Sequence, residues 1–153
     1  MVTIAKKPAA TNKAADNLEE LKTTLRRWQQ IEQESIVQTS AIIAKTHNPL
    51  IQLVMEIIRQ DSAMHKRVQQ AILDSVEKQA FSLSPEDLGE VWDLIEQHAA
   101  AEKETIELAE QARKNCRLFV QRHLLTYLTE DELKHDRLLN QLEDFKRNLY
   151  PYA

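Results

Sequence analysis

Two seven-residue stretches, Asp61 to Arg67 (DSAMHKR) and Asp131 to Arg137 (DELKHDR), share one pattern: an aspartate, a histidine four residues on, and an arginine two beyond that. A residue and its neighbour four positions later lie one helical turn apart on the same face, so each Asp–His pair can point at one site. Carboxylate oxygens together with a histidine nitrogen suit Fe, Mn or Zn. The arginines fall two positions past that face and are expected in solvent.

Sliding the chain on itself by seventy residues, without a gap, extends the match. Glu32 falls on Glu102, Asp61 on Asp131 and His65 on His135. Leu18, Leu21, Leu25 and Ile36 fall on Leu88, Val91, Ile95 and Ile106, and Val54, Ile58, Val68 and Ile72 fall on Leu124, Leu128, Leu138 and Leu142. Each half therefore reads as a helical hairpin carrying one Glu on its first helix and Asp-x-x-x-His on its second.

Long helices must position these residues. The 153-residue chain suits a single domain with a core. One Gly, four Pro and an abundance of Ala, Leu, Glu, Gln, Lys and Arg favour helices over sheets. Asp16 with Glu19 reads as a capping pair, His47-Asn48-Pro49 as a stop and restart, and Ser84-Pro85 as an N-cap followed by the first helical position. Asn115-Cys116-Arg117 is a weaker break, and Pro151 ends the last helix. These signals predict a disordered N-terminal arm over 1–15 and helices over 16–46, 49–80, 85–114 and 117–149, each about 45 Å long. The expected fold is all-α: an antiparallel four-helix bundle over 16–150, built from two repeated hairpins. Phe81 to Ser84 span only about 14 Å even when extended, which favours up-down-up-down order. A long crossover, with helix two ending near Ile72, is the alternative.

Apolar residues at alternating steps of three and four mark the expected inner stripes. The first helix has Leu18, Leu21, Leu25, Trp28, Glu32, Ser35, Thr39 and Ile42; the second has Ile51, Val54, Ile58, Asp61, His65, Val68, Ile72 and Ser75. The third has Leu88, Val91, Ile95, His98, Glu102, Thr105, Ala109 and Ala112; the fourth has Leu124, Leu128, Asp131, His135, Leu138, Leu142 and Phe145. In each stripe the polar residues come near the middle, so Glu32, Asp61, His65, Glu102, Asp131 and His135 are expected at one level. Unpaired buried carboxylates are costly, and no Lys or Arg occupies these stripes near that level. Two divalent cations would neutralise them. A hydrogen-bonded polar layer that sets helix register is the simpler rival.

On these residues the chain resembles the ferritin-like di-iron carboxylate proteins, particularly their rubrerythrin-like branch, whose pattern is a Glu on each of two helices and Glu-x-x-His on each of the other two. The resemblance covers about residues 16–149. It implies that Glu32 and Glu102 are the lone glutamates and that His65 and His135 are the motif histidines. The bridging carboxylate departs from the pattern: Glu132-Leu133-Lys134-His135 fits Glu-x-x-His, but Ser62 stands at the equivalent of Glu132. Asp61 and Asp131 are preferred as ligands, with orientation of the histidine N–H groups as their other role. Ferritin-like bundles also cross over between helices two and three, whereas the short link here favours simple order. His98, whose repeat mate is Trp28, could be a seventh ligand, an orienting group, a proton relay or a packed histidine. Trp28 and Tyr127 read as core filling.

The resemblance implies a pair of metal ions, Fe first and Mn or Zn as alternatives, and a ferroxidase or oxidoreductase acting on Fe(II) with O2 or peroxide. No cysteine quartet supplies an attached electron-transfer centre. The rival reading is a non-enzymatic bundle serving as an interaction, metal-sensing or metal-carrying module. Equivalent halves predict that His65→Ala and His135→Ala lose metal to a similar degree.

The formal net charge of -4 gives no electrostatic reason to expect nucleic acid or anionic lipid. Single Cys116 excludes an intrachain disulfide and is compatible with a reducing cytosol. No apolar run approaches the ~20 residues of a membrane span, and residues 1–15 have no signal-peptide core. The expected setting is cytoplasmic, without membrane or nucleic-acid partners, and a homodimer is left open.

Overall fold

The computed structural model describes residues 10–149, with side chains from Lys13 to Asn148. It is all-helical, with no strand among the described residues. The helices are α1 (Ala10–Lys45), α2 (Pro49–Glu77), α3 (Pro85–Gly89), α4 (Trp92–Asn115) and α5 (Phe119–Leu149). None of the described helices is long and apolar enough to cross a membrane. The chain divides into two units at Phe81 and Ser82, and each is an antiparallel hairpin: α1 with α2, and α4 with α5.

Several boundaries differ from expectation. Helix α1 begins at Ala10, so Asp16 and Glu19 lie inside it rather than capping its start. Ala and Lys are good helix formers and nothing from Ala10 to Ala15 breaks the pattern. The earlier part of the expected arm and Pro151 lie outside the described residues. Helix α2 ends at Glu77, where the backbone N–H of Lys78 bonds the Asp74 carbonyl. The single helix expected over 85–114 is two helices. Ser84 and Asp87 form the capping box that opens α3, but the turn after Gly89 ends it. The N–H of Val91 bonds Leu88 O at 3.1 Å, and α4 restarts at Trp92 with no side-chain cap. Gly has the weakest helix propensity after Pro, and a five-residue helix has little cooperativity to carry it across such a residue.

The link between α1 and α2 is pinned by side chains. Asn48 Oδ1 accepts from the N–H groups of Leu50 and Ile51, with Pro49 in the first turn, and Gln52 Nε2 donates to Thr46 O at 2.9 Å. This caps α2 and fixes the hairpin register. Arg26 pairs with Glu77 at the open end, while Gln29 Nε2 reaches Lys66 O (3.3 Å) and Gln70 Oε1 (3.1 Å).

The seam inside each hairpin is more polar than the expected stripe. On α1, Lys22, Leu25, Gln29, Glu32, Ile36, Thr39 and Ile43 are buried or half-buried; on α4, Trp92, Ile95, Ala99, Glu102, Ile106, Ala109 and Arg113 are. The two runs are seventy apart at every position. On α2 the buried residues are Ser62, Gln69 and Leu73. Leu25, Glu32, Thr39 and Glu102 belong both to this seam and to the expected stripes. Leu18, Leu21, Trp28, Ile42, Ile51, Val54, Ile58 and Val68 do not: they are exposed, as are Val91, Leu128, Leu138 and Phe145. Two packed helices bury one narrow strip, and here that strip runs beside the apolar stripe instead of along it. Arg67 and Arg137 are exposed, as expected.

Gln69 is an anomaly in this seam. It is 3 % exposed, and neither its Nε2 nor its Oε1 has a hydrogen-bond partner among the described residues. Its counterpart seventy positions on is Leu139. Gln69→Leu removes two unsatisfied polar atoms at nearly constant volume, and is expected to raise unfolding free energy by about 1–3 kcal/mol in a denaturant titration. An unchanged or lower midpoint would show that the amide is satisfied in solution.

Candidate metal centre

In the first hairpin, Glu32 projects from the middle of α1 toward α2 and is 7 % exposed. Its Oε1 accepts from Trp28 Nε1, one turn earlier, at 2.9 Å, and lies 3.1 Å from His65 Nδ1. A histidine carrying a proton on Nδ1 donates there, whether neutral or cationic. The buried Ser62 hydroxyl interacts with Glu32 and, at 3.0 Å, with Ser35 Oγ. Burial by itself would raise the Glu32 carboxyl. The hydrogen bonds from Ser62 and His65, the charge of His65 and the Trp28 N–H outweigh it and hold the group below the usual carboxylate range. Asp61 is half-buried and has no hydrogen-bond or ion-pair partner among the described residues.

The sign of the pH effect follows. A carboxyl held lower in the folded than in the unfolded protein contributes stability that is fully present above its unfolded pKa, about 4.3. That contribution is lost as pH falls through the depressed folded value. Unfolding free energy is therefore expected to decline on acidification below about pH 4.3, and Glu32→Gln to flatten that decline in melts taken from pH 6 to pH 3. An equally steep acid limb in the variant would assign the decline to other carboxylates.

The second hairpin repeats the frame with different groups. Glu102, also 7 % exposed, has His98 Nε2 at 3.0 Å from its Oε1, where Glu32 has Trp28. His135 Nδ1 lies 3.6 Å from Glu102 Oε2 and 3.6 Å from Glu132 Oε2. Thr105 Oγ1 reaches Glu132 Oε2 at 3.3 Å, where the first hairpin has Ser35 against Ser62. Among the described residues Glu102 Oε2 is buried without a hydrogen bond, since 3.6 Å is beyond hydrogen-bond reach. Among the described residues, Glu102, Glu132 and His135 form the group able to hold a metal ion, with one ligand atom from each all within 4.8 Å of one another.

The structure thus brings Glu32 to His65 in one unit, and Glu102 to His135, Glu132 and His98 in the other. Glu132, not the preferred Asp131, is the carboxylate beside Glu102. Asp131 is drawn off by Lys134, three residues on, and its Oδ2 is 3.7 Å from His135 Nε2. Lys134 holds no place in the stripe, yet as an i+3 neighbour it pairs with Asp131 from beside it. Trp28 is 49 % exposed, and its N–H serves Glu32. Ser35, Ser62 and Thr105 were not singled out for the site, although the seventy-residue offset that aligns Trp28 with His98 also aligns Ser62 with Glu132 and Ser35 with Thr105.

Compared with known proteins, the chain matches no family model, no curated protein and no solved structure.

Proposed function

We propose that this chain is a metal-binding helical protein of ferritin-like character, holding a divalent cation through Glu102, Glu132 and His135. One observation carries the reading: a buried carboxylate oxygen of Glu102, without a hydrogen bond, faces a second carboxylate and an imidazole. An unsatisfied buried anionic oxygen is unfavourable on its own, and coordination to a cation satisfies it. The donor set fits: two carboxylates balance a divalent charge, and one nitrogen with oxygen donors suits Fe, Mn or Zn. Thr105 and His98 would orient the two carboxylates from outside.

The exposed apolar stripes support assembly of the hairpins into an antiparallel four-helix bundle. Leu21 and Val91, Ile58 and Leu128, and Val68 and Leu138 are exposed pairs at the seventy-residue offset, so both hairpins offer similar apolar faces. Each of these side chains is already about half covered, so burying the rest is worth roughly half of the ~1.5–3 kcal/mol of full burial. In that assembly the ferritin-like resemblance implies two ions per chain and turnover of Fe(II) with O2 or peroxide. Iron bound at the site would supply one-electron chemistry toward those oxidants, and the protein's part is to hold and orient it.

Metal analysis of protein purified without oxygen, followed by O2-electrode recording as Fe(II) is added, tests the proposal. Stoichiometric metal with O2 consumption supports the oxidoreductase. Metal without consumption assigns a carrying or sensing role. A stable protein that takes up no Fe, Mn or Zn refutes the metal reading.

A further inference from the structure

Glu32 and Glu102 hold the same place in their hairpins but are satisfied to different degrees. Trp28 Nε1 and His65 Nδ1 lie 2.9 and 3.1 Å from the same Glu32 oxygen, Oε1, and the buried Ser62 hydroxyl is held 3.0 Å from Ser35 Oγ. Glu102 has His98 beside one oxygen and, among the described residues, no hydrogen-bond partner for the other. We infer that the two hairpins are unequal toward metal: the α4–α5 hairpin takes one cation tightly through Glu102, Glu132 and His135, while the α1–α2 hairpin is closed to metal by Trp28 and Ser62. The inference rests on the metal reading above and departs from the pair of equal sites that the resemblance implies.

The chemistry of the two exchanged positions supports it. An indole N–H donates and has no lone pair in the ring plane with which to bind a metal. Trp28 therefore locks Glu32 Oε1 at 2.9 Å without adding a ligand. Ser62 presents a neutral hydroxyl where the second hairpin presents the Glu132 carboxylate, so the first hairpin has one fewer anionic donor beside its histidine. A cation at Glu32 Oε1 would compete with the two donors already there, and one approaching either oxygen would meet less negative charge. In the second hairpin the cation would meet a ready oxygen. His98 acts there as a positioning residue: its Nε2, 3.0 Å from Glu102 Oε1, holds that oxygen and leaves Oε2 on the side of Glu132 and His135.

The repeat allows the two sets to be exchanged. The apo full-length protein would be titrated with Zn(II) and with Mn(II) by calorimetry, and bound metal counted after gel filtration. Wild type is expected to take one tight ion per chain. The exchange H98W/E132S gives the second hairpin the groups of the first, and H135A removes its nitrogen. Both are expected to weaken that ion by roughly 100-fold or more, beyond the 10–100-fold usual for an orienting partner. H65A should leave it within about twofold, below the scale of even an orienting partner. The reverse exchange, W28H/S62E, should add a second ion, with circular dichroism confirming that each variant keeps its helices. Two equally tight ions, or an H65A loss matching that of H135A, overturns the inequality and leaves metal binding standing. Wild type that binds neither metal overturns the metal reading and the inference with it.

Discussion

Glu102→Gln is expected to abolish tight metal binding while leaving the metal-free protein at least as stable as wild type. The two effects have one cause. Glu102 Oε2 is buried and lacks a hydrogen bond, so the folded apoprotein bears a desolvation cost of about 1–3 kcal/mol there. Glutamine keeps the shape and removes the charge, and its amide can donate to the neighbouring Glu132 oxygen. The same change deletes an anionic ligand from a three-donor set, a larger loss than the 10–100-fold typical of an orienting partner. Calorimetric metal titration beside urea unfolding of the apo variant reads both quantities. Tight metal retained in the variant would remove Glu102 from the site, and an apoprotein weaker by more than about 1 kcal/mol would show that its carboxylate is already satisfied. Glu32→Gln is the contrasting case. Glu32 is well supplied with donors, so its replacement should cost about 1–3 kcal/mol, the worth of hydrogen bonds to a charged group, and leave tight metal in place.

The second large effect is on the fold. Leu73→Ala is expected to destabilise the protein by about 2–5 kcal/mol in denaturant unfolding. Leu73 is 3 % exposed and Leu25 5 %. Both stand at one level of the antiparallel register that sets Glu32 beside His65 and Ser35 beside Ser62. The other fully buried residues of this seam are Glu32, Thr39, Ser62 and Gln69, so little apolar material is at hand to close a cavity there. Leu108, 56 % exposed, is the control, and its change to alanine should fall within about ±0.5 kcal/mol. Similar losses at both positions would mean that the stability of this hairpin comes from a surface other than the α1–α2 seam.

Helical character, the breaks at Asn48 and Ser84, and the pairing of Glu32 with His65 and of Glu102 with His135 were all legible in the chain. Each rests on a local rule: helix propensity, a cap with its proline, or a fixed repeat offset. The break after Gly89 was not, because Ser84-Pro85-Glu86-Asp87 is a strong start signal and a single glycine is a weak stop. The early start of α1 was missed for the opposite reason: a capping pair also fits the interior of a helix whose sequence simply continues.

By itself the sequence determined that this is a helical chain with a glutamate and a histidine recurring at an offset of seventy residues. Those are matters of composition and spacing, which the backbone period converts directly into faces. Which carboxylate stands with His135 was decided by tertiary structure. Asp131 and Glu132 are adjacent on α5, and only the position of α4 and the pull of Lys134 separate them. Tertiary structure likewise decided that Glu32 Oε1 has two hydrogen-bond partners while Glu102 Oε2 is buried with none among the described residues. A hydrogen bond depends on where two side chains end across a helix pair, to within a few tenths of an ångström, and no repeat in the sequence records that.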